Sequence, residues 1–195
     1  MHLNPRSPFV FDIRTLGRRP GSSRSEERRV PAPADLHVAL ARVPAGAEVA
    51  LDVTLDAMSD GVLVTAAATV PVSGECARCL EPLSTTAEVS FRELYEAEAS
   101  PEDLADDDYE DRRFLDGDLL DLEPAFRDAV VLALPLAPLC QEDCEGLCPD
   151  CGVRLAEAGT GHGHGDVTDP RWAQLSQLDV RDNDDGARAA DQQEN

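Results

Sequence analysis

Six cysteines and two closely spaced histidines restrict this chain more than any other feature of its sequence. The stretch "LCQEDCEGLCPDCGVRL" at 139–155 holds four of the cysteines, "CARC" at 76–79 holds two, and "GHGHG" at 161–165 holds the histidines. Thiolates and imidazoles at such short spacings are typical of tetrahedral zinc sites. The candidate ligands number eight, enough for two four-coordinate sites: Cys76, Cys79, Cys140, Cys144, Cys148, Cys151, His162 and His164.

These ligands can be divided between two sites in two ways. The favoured division joins the CARC turn to Cys140 and Cys144, and pairs Cys148 and Cys151 with the histidines. The Gly-rich loop that carries the histidines is short, so closing it onto Cys148 and Cys151 costs little conformational entropy. The alternative groups the four cysteines of 140–151 and leaves the CARC turn to the histidines. With Zn²⁺ the favoured sites carry formal charges of 2 − 4 = −2 and 2 − 2 = 0, and neither keeps an open position, which predicts structural metal.

Other chemistries for the same residues are less favoured. An iron–tetrathiolate centre also suits paired CxxC turns, but "CARCL" lacks the glycine that follows the second cysteine in "CPDCG". A hydrolytic zinc would require an open position and a base such as Glu157 or Asp166. The histidines can also be read as a Gly-His linker without a role. Because no phosphate-binding loop or nucleophile elbow accompanies them, the sequence predicts no enzyme.

The N-terminus lacks the apolar core of a signal peptide, and no window approaches the roughly 18 apolar residues of a membrane span. We therefore expect a cytoplasmic protein without membrane attachment, whose clustered cysteines hold metal rather than disulfides.

The apolar pattern predicts a mainly β fold with α elements (α+β). Between residues 35 and 95 apolar residues recur with period two, as in "EVALDVTLDA" at 48–57, which predicts a small antiparallel sheet or barrel. An acidic loop (98–118) follows, and then a helix (119–134) with Asp118 as N-cap and Pro135 as its stop, packed on the sheet. The β domain is thus expected over 35–134.

Three further segments complete the predicted organisation. Residues 1–34 combine a short strand, "FVFDI", with a mobile Arg-rich arm. Residues 135–178 form the metal-binding segment and end in a short helix that contains Trp172. Residues 179–195 are expected to be a disordered acidic tail.

The chain carries 17 basic and 39 acidic residues, a net charge of −22, which opposes broad contact with nucleic acid phosphates. The arm is the exception, since residues 1–30 hold seven Arg and three acidic residues, a local net of 7 − 3 = +4. Candidate contacts to RNA or to a partner protein are Arg14, Arg18, Arg19, Arg28 and Arg29.

The stretches "ECARCLEPL", "VLALPLAPLCQEDCEGLCPDCG" and "DPRWAQLSQL", in this order and spacing over residues 35–178, resemble the YceD-like family, the large ribosomal RNA subunit accumulation proteins. The resemblance implies a cytosolic, non-enzymatic factor for accumulation of large-subunit rRNA, often encoded beside a large-subunit ribosomal protein. Family members often carry Cys-x-Cys where this chain has His162 and His164. Imidazole can replace thiolate on zinc, so this departure changes site charge more than geometry.

We therefore expect a ribosome-biogenesis factor that supports accumulation or processing of 23S rRNA, stabilised by two structural Zn²⁺ ions. Its expected partner is large-subunit rRNA, a basic large-subunit ribosomal protein, or both, and the sequence leaves the oligomeric state open. The competing hypothesis is a zinc–thiol redox sensor in which oxidation ejects the metal.

Overall fold

The computed structural model describes residues 3–17, 19–97, 112–165 and 171. Within these residues the chain forms eight strands and two helices. In chain order they are β1 (Val10–Asp12), β2 (Ser23–Pro31), β3 (Ala41–Arg42), β4 (Glu48–Ala57), β5 (Gly61–Glu75), β6 (Pro82–Glu96), β7 (Arg113–Phe114), β8 (Leu119–Asp121), α1 (Glu123–Ala133) and α2 (Leu155–Ala158).

Six strands form one sheet in the order β2-β4-β5-β6-β7, with β3 beside β5. All neighbours are antiparallel except the short β6–β7 pair, which is parallel. The predicted antiparallel sheet is confirmed. The barrel is wrong, because within the described strands β2 and β7 stay at opposite edges instead of pairing with each other, as closure would require.

The core lies on one face of this sheet, as the period-two pattern predicts. Val49, Leu51, Val53 and Leu55 of β4 are all buried, and their neighbours alternate toward solvent. The opposite side of the core is formed by α1, through Phe126 and Val130, and by the small β1–β8 pair.

The predicted helix at 119–134 begins four residues too early. Leu119–Asp121 is strand β8, which pairs with β1 through Phe11 and Leu120, and α1 begins only at Glu123. The Asp118 cap is therefore wrong: the N-cap position is Leu122, and the Asp121 side chain accepts a hydrogen bond from the Glu123 N–H at 3.0 Å. The extended form is favoured because period two buries both Leu120 and Leu122. The predicted end before Pro135 is confirmed.

The predicted mobile arm is wrong over residues 23–31, which form β2 and pair with β4 along its whole length. Alternating charges allow this strand to form. Glu26 accepts hydrogen bonds from Arg24 at 2.9 Å and from Arg28 at 2.6 Å, so a negative charge lies between the two arginines on this face and offsets their repulsion.

Three sequence-based expectations fall largely or wholly outside the described residues. These are the acidic loop up to residue 111, the short helix around Trp172, and the tail at 179–195. Among the described helices, none combines the length and apolar character that crossing a bilayer requires.

The β5–β6 hairpin positions the first cysteine pair. β4 pairs with β5 only as far as Thr69, whereas β5 and β6 remain paired to Glu75 and Pro82. The hairpin therefore extends past β4 to the part of β5 that pairs with β3, at Ser73 and Gly74, and its connecting turn is the CARC sequence.

Candidate metal centres

The CARC turn holds Cys76 and Cys79 at the end of the β5–β6 hairpin. The Cys76 N–H donates to the Glu81 carbonyl at 2.8 Å, and the Leu80 N–H donates to the Cys76 carbonyl at 2.9 Å. The chain leaves the turn at Leu80 with a φ of 60°. Both cysteines are buried, and a small cluster with Cys144 and Leu83 surrounds them.

The loop after α1 supplies the other half of this first group, Cys140 and Cys144. It is held against the turn by a hydrogen bond from the Ala77 N–H to the Pro138 carbonyl at 2.7 Å. The Arg78 guanidinium donates to the carbonyls of Cys144 at 2.9 Å and Glu142 at 3.4 Å. A side chain from inside the CARC turn thus fixes the loop that carries the other two sulfurs.

The sulfur distances in the first group match a tetrahedral metal shell. The Sγ atoms of Cys76 and Cys144 are 3.8 Å apart, those of Cys79 and Cys140 are 3.7 Å apart, and all four lie within 4.8 Å of one another. Zn–S bonds of about 2.3 Å arranged tetrahedrally separate sulfurs by about 3.8 Å. A disulfide requires about 2.05 Å, and all six cysteines are free thiols.

The thiols of this group differ in the direction of their pKa shifts. A hydrogen bond from the Cys79 backbone N–H lowers the pKa of the Cys76 thiol to about 6. In contrast, the hydrogen bond with Cys144 raises the pKa of the Cys140 thiol to about 12. The turn therefore stabilises one thiolate readily, whereas four thiolates together require a cation among them.

The second group is built on the CPDCG turn. The Cys148 N–H donates to the Val153 carbonyl at 2.8 Å, the Gly152 N–H donates to the Cys148 carbonyl at 2.9 Å, and Gly152 has a φ of 71°. A hydrogen bond from the Cys151 N–H, followed by one from His162, lowers the pKa of the Cys148 thiol to about 6.

The two histidines face this turn through their Nε2 atoms. Nε2 of His162 lies 3.4 Å and Nε2 of His164 lies 3.2 Å from the Cys151 Sγ, and the two nitrogens are 3.2 Å apart. A tetrahedral zinc shell places S and N about 3.6 Å apart and two N atoms about 3.3 Å apart. Cys148 completes the group, whose four ligand atoms also lie within 4.8 Å of one another.

The two groups are joined by a short network between the turns. The Leu147 N–H donates to the Arg78 carbonyl at 3.2 Å, and Leu147 also forms a β-bridge with Arg154. Arg154 forms ion pairs with Glu81, beside the first turn, and with Glu157. The sequence did not single out Arg78 or Arg154, because their contacts join residues that are far apart along the chain.

The structure brings together all eight predicted ligands in the favoured division, and the four cysteines of 140–151 do not form one site. Metal binding by these residues stays a prediction, and the donor sets fit it. Each group provides four ligand atoms, so a bound ion would have a complete tetrahedral shell.

The geometry gives little support to a hydrolytic centre. Of the two candidate bases, Glu157 is paired with Arg154 at 3.0 Å, and Asp166 lies outside the described residues. A cavity of about 940 Å³ lies beside the β4–β5 turn, and neither cysteine nor histidine lines it.

Three of the five candidate contact arginines bind the protein itself. Arg28 stacks 3.7 Å from the centroid of the Phe11 ring and donates to the carbonyls of Pro8 at 3.0 Å and Val10 at 2.9 Å. Arg14 hydrogen-bonds Asp12 and lowers the pKa of that carboxyl to about 2. Arg29 pairs with Glu48. Arg19 is exposed, and Arg18 lies outside the described residues.

Comparison with known proteins identifies the family. The sequence profile described as "Large ribosomal RNA subunit accumulation protein YceD" matches residues 64–179, which include every candidate metal ligand. The chain belongs to the YceD family. Its description is that of an accumulation protein and names no enzymatic activity.

The curated relatives are uncharacterised mycobacterial proteins. Relatives from Mycobacterium bovis and Mycobacterium tuberculosis are 42% identical over 172 residues, covering 88% of this chain and 82% of their own length. A relative from Mycobacterium leprae is 37% identical over 172 residues, which cover 88% of this chain and 78% of that protein. No solved structure matches this YceD-family chain.

Proposed function

We propose that this protein is a non-enzymatic ribosome-biogenesis factor that acts in the cytoplasm to support accumulation and processing of 23S rRNA. The membership in the YceD family supports this role. The observation that carries the non-enzymatic part is the closed geometry of the two Cys/His groups, since four protein ligands leave no position for a substrate or an activated water.

Two Zn²⁺ ions would act as structural staples. The first would tie the β5–β6 hairpin to the loop after α1, and the second would close the segment that follows. Zinc is favoured over iron because the second group combines two thiolates with two imidazoles, a donor set typical of structural zinc. Metal affinity would then contribute directly to folding stability.

The direct partner would be a basic large-subunit ribosomal protein rather than bare RNA. The net charge of −22 repels phosphates and attracts a basic protein. The candidate RNA-binding arginines add little, because Arg28 is engaged with Phe11 and with two backbone carbonyls.

A deletion strain tests the proposed function. Loss of the gene is expected to lower 23S rRNA relative to 16S rRNA, and the full-length protein is expected to restore the ratio. Elemental analysis of protein purified without chelator should give about two zinc per chain. An unchanged rRNA ratio in the deletion strain would overturn the biogenesis role. Purified protein without metal would overturn the proposed structural zinc sites.

The exposure of one cysteine in each group favours a second candidate, a zinc–thiol redox sensor. Cys140 and Cys151 are exposed, whereas the other four cysteines are buried. Hydrogen peroxide would take two electrons from the thiolates of Cys79 and Cys140, forming one S–S bond and two hydroxide ions and releasing zinc. Zinc release at low peroxide together with a change of protein partner would support this candidate, and retention of both would exclude it.

A further inference from the structure

The segment that leads into the first cysteine group is unusually apolar for a surface. From Ala129 to Leu139 the sequence "AVVLALPLAPL" contains no polar side chain. The structure buries only every fourth residue of the run, namely Val130, Leu134 and Pro138. Six of its residues are exposed: Val131, Leu132, Ala133, Leu136, Ala137 and Leu139.

The degree of exposure is large. The fractional exposure is 86% for Leu132 and 79% for Leu136, compared with 3% for Leu134 between them. A helix that only covers the core carries polar residues on its outer face. Contiguous exposed apolar residues, in contrast, mark interaction surfaces.

The apolar surface continues onto the CARC turn. Leu80 is 54% exposed and directly follows Cys79, while Leu139 directly precedes Cys140. The sulfurs of these two cysteines are 3.7 Å apart, and the Ala77 N–H donates to the Pro138 carbonyl at 2.7 Å, so the segment that ends at Leu139 lies against the CARC turn. We call Leu80, Leu132, Leu136 and Leu139 the leucine patch.

Acidic residues border the leucine patch on the side of the cysteines. Glu142, Asp143 and Glu145 are all exposed in the loop between Cys140 and Leu147. Between Val131 and Val153 the sequence contains four acidic residues and no Arg, Lys or His. Arg78, which contacts this loop, directs its guanidinium to the carbonyls of Glu142 and Cys144.

We propose that the leucine patch and its acidic border form the docking surface for a basic amphipathic segment of a protein partner. This inference rests on the proposed function and deepens it, because it assigns the face on which a basic ribosomal protein would bind. Apolar side chains of the segment cover the leucines, and its Lys or Arg residues pair with Glu142, Asp143 and Glu145. RNA does not fit this surface, since phosphates are repelled by the border and gain nothing from leucine.

The first test uses a defined probe. The probe is a synthetic amphipathic peptide of about 18 residues, with Leu on one face of the helix and Lys on the other. A scrambled peptide of the same composition is its control. Binding to the full-length, zinc-loaded protein is measured by fluorescence anisotropy at low and high salt. Tighter binding of the amphipathic peptide than of the scrambled one is expected, and equal binding would overturn the proposal.

Variants of the protein localise the binding site. Leu132→Ser combined with Leu136→Ser is expected to weaken binding of the amphipathic peptide about tenfold or more. Met58→Ser is the control, because Met58 is an exposed apolar residue (47%) in the β4–β5 turn, at the opposite end of β5 from the CARC turn. Equal weakening by the control, or no weakening by the double variant, would overturn the leucine patch as the site. Zinc content and thermal unfolding verify that each variant is folded.

A charge variant separates the two components of the surface. Combining Glu142→Gln, Asp143→Asn and Glu145→Gln is expected to lower the affinity for the amphipathic peptide at low salt. The affinity of this variant should also depend less on salt concentration. A salt dependence that these substitutions leave unchanged would overturn the acidic border. Tighter binding of a 23S rRNA fragment, with weakening by the leucine variant, would instead assign the surface to RNA and overturn the protein partner.

A measurement in cells distinguishes this inference from the proposed function. The Leu132→Ser, Leu136→Ser protein is expected not to restore the 23S to 16S ratio in the deletion strain, although it folds and holds zinc. Full restoration would overturn the docking surface and leave the biogenesis role intact. A deletion strain with a normal ratio of 23S to 16S rRNA would overturn the biogenesis role. The peptide measurement would still test whether the leucine patch is a docking surface.

Discussion

Leu80 occupies the same place in the first cysteine turn that Gly152 occupies in the second. Each residue directly follows the second cysteine of a C-x-x-C pair, and their φ angles are 60° and 71°. The absence of a glycine after "CARC" therefore does not change the turn. The leucine adopts a left-handed backbone conformation that L-residues rarely take.

This equivalence predicts the effect of substitutions at Leu80. Leu80→Gly is expected to leave the metal content unchanged and to change the free energy of unfolding by less than ~1 kcal/mol, because relief of backbone strain offsets the greater freedom of the unfolded chain. Leu80→Val is expected to cost ~1–2 kcal/mol, because a β-branched residue is strained at positive φ. Thermal unfolding compares the two, and equal stability of both variants would contradict the prediction.

The two metal groups are expected to differ in their contribution to stability. Cys76 and Cys144 are 68 residues apart and connect the hairpin to the loop after α1, whereas Cys151 and His162 are only 11 residues apart. Closing a long loop restricts the unfolded chain more. Cys76→Ser should therefore lower the melting temperature more than Cys148→Ser, with one zinc remaining in each variant. A larger decrease in melting temperature for Cys148→Ser, or two zinc ions in either variant, would contradict this prediction.

Gly146 is expected to be required between the two groups. It has a φ of 81°, and an added Cβ would lie 3.1 Å from the Arg78 carbonyl oxygen. Gly152, with a φ of 71° and no neighbouring atom within 4 Å of such a Cβ, is the matched control. Gly146→Ala should cost ~1 kcal/mol more than Gly152→Ala. Chemical denaturation measures both, and equal costs would show that the approach of Arg78 imposes no constraint.

The buried phenol of Tyr95 predicts a loss of stability at alkaline pH. Burial raises the pKa of Tyr95 above its usual value, and its hydroxyl donates to the Asp121 carbonyl at 2.9 Å. The unfolded chain, with a Tyr pKa of about 10, ionises first, so the stabilisation is complete below that pH and is lost as the pH rises above it.

The matched variant for this effect is Tyr95→Phe. It should be less stable than the natural protein by ~1 kcal/mol near neutral pH, because the hydrogen bond to Asp121 is lost. The two melting curves should converge as the pH rises above about 10. A constant difference across this pH range would contradict the assignment.

Arg28 and Arg29 are expected to differ although they are adjacent. Arg28 contacts Phe11 and the carbonyls of Pro8 and Val10, so Arg28→Met should lower the free energy of unfolding by ~1–3 kcal/mol. Arg29 forms an exposed ion pair with Glu48, and Arg29→Ser should change it by less than ~0.5 kcal/mol. Urea unfolding tests both. Equal effects would show that the contacts of Arg28 do not stabilise β2.

The sequence alone determined those features that depend on neighbours along the chain. The alternation of Val49, Leu51, Val53 and Leu55 predicts β4, because successive side chains of a strand point to opposite faces. The CARC and CPDCG turns are likewise local and supply four of the candidate ligands, and the short spacings of Cys140, Cys144, His162 and His164 identify the other four.

Features that depend on distant residues were decided by the tertiary structure. Leu119–Asp121 is extended because β1, more than a hundred residues earlier, provides a strand partner. Arg28 is buried in part against Phe11 and is not free for RNA.

The same distinction explains the metal groups and the leucine patch. The sequence could only favour one division of the ligands, because Cys79 and Cys140 are separated by 61 residues. Likewise, an apolar run such as 129–139 is compatible with a buried helix. Only the packing of α1 and of the loop after it shows that Val130 and Leu134 enter the core while Leu132 and Leu136 remain exposed. A chain encodes its own periodicity locally, but which residues meet across long loops depends on how the whole core packs.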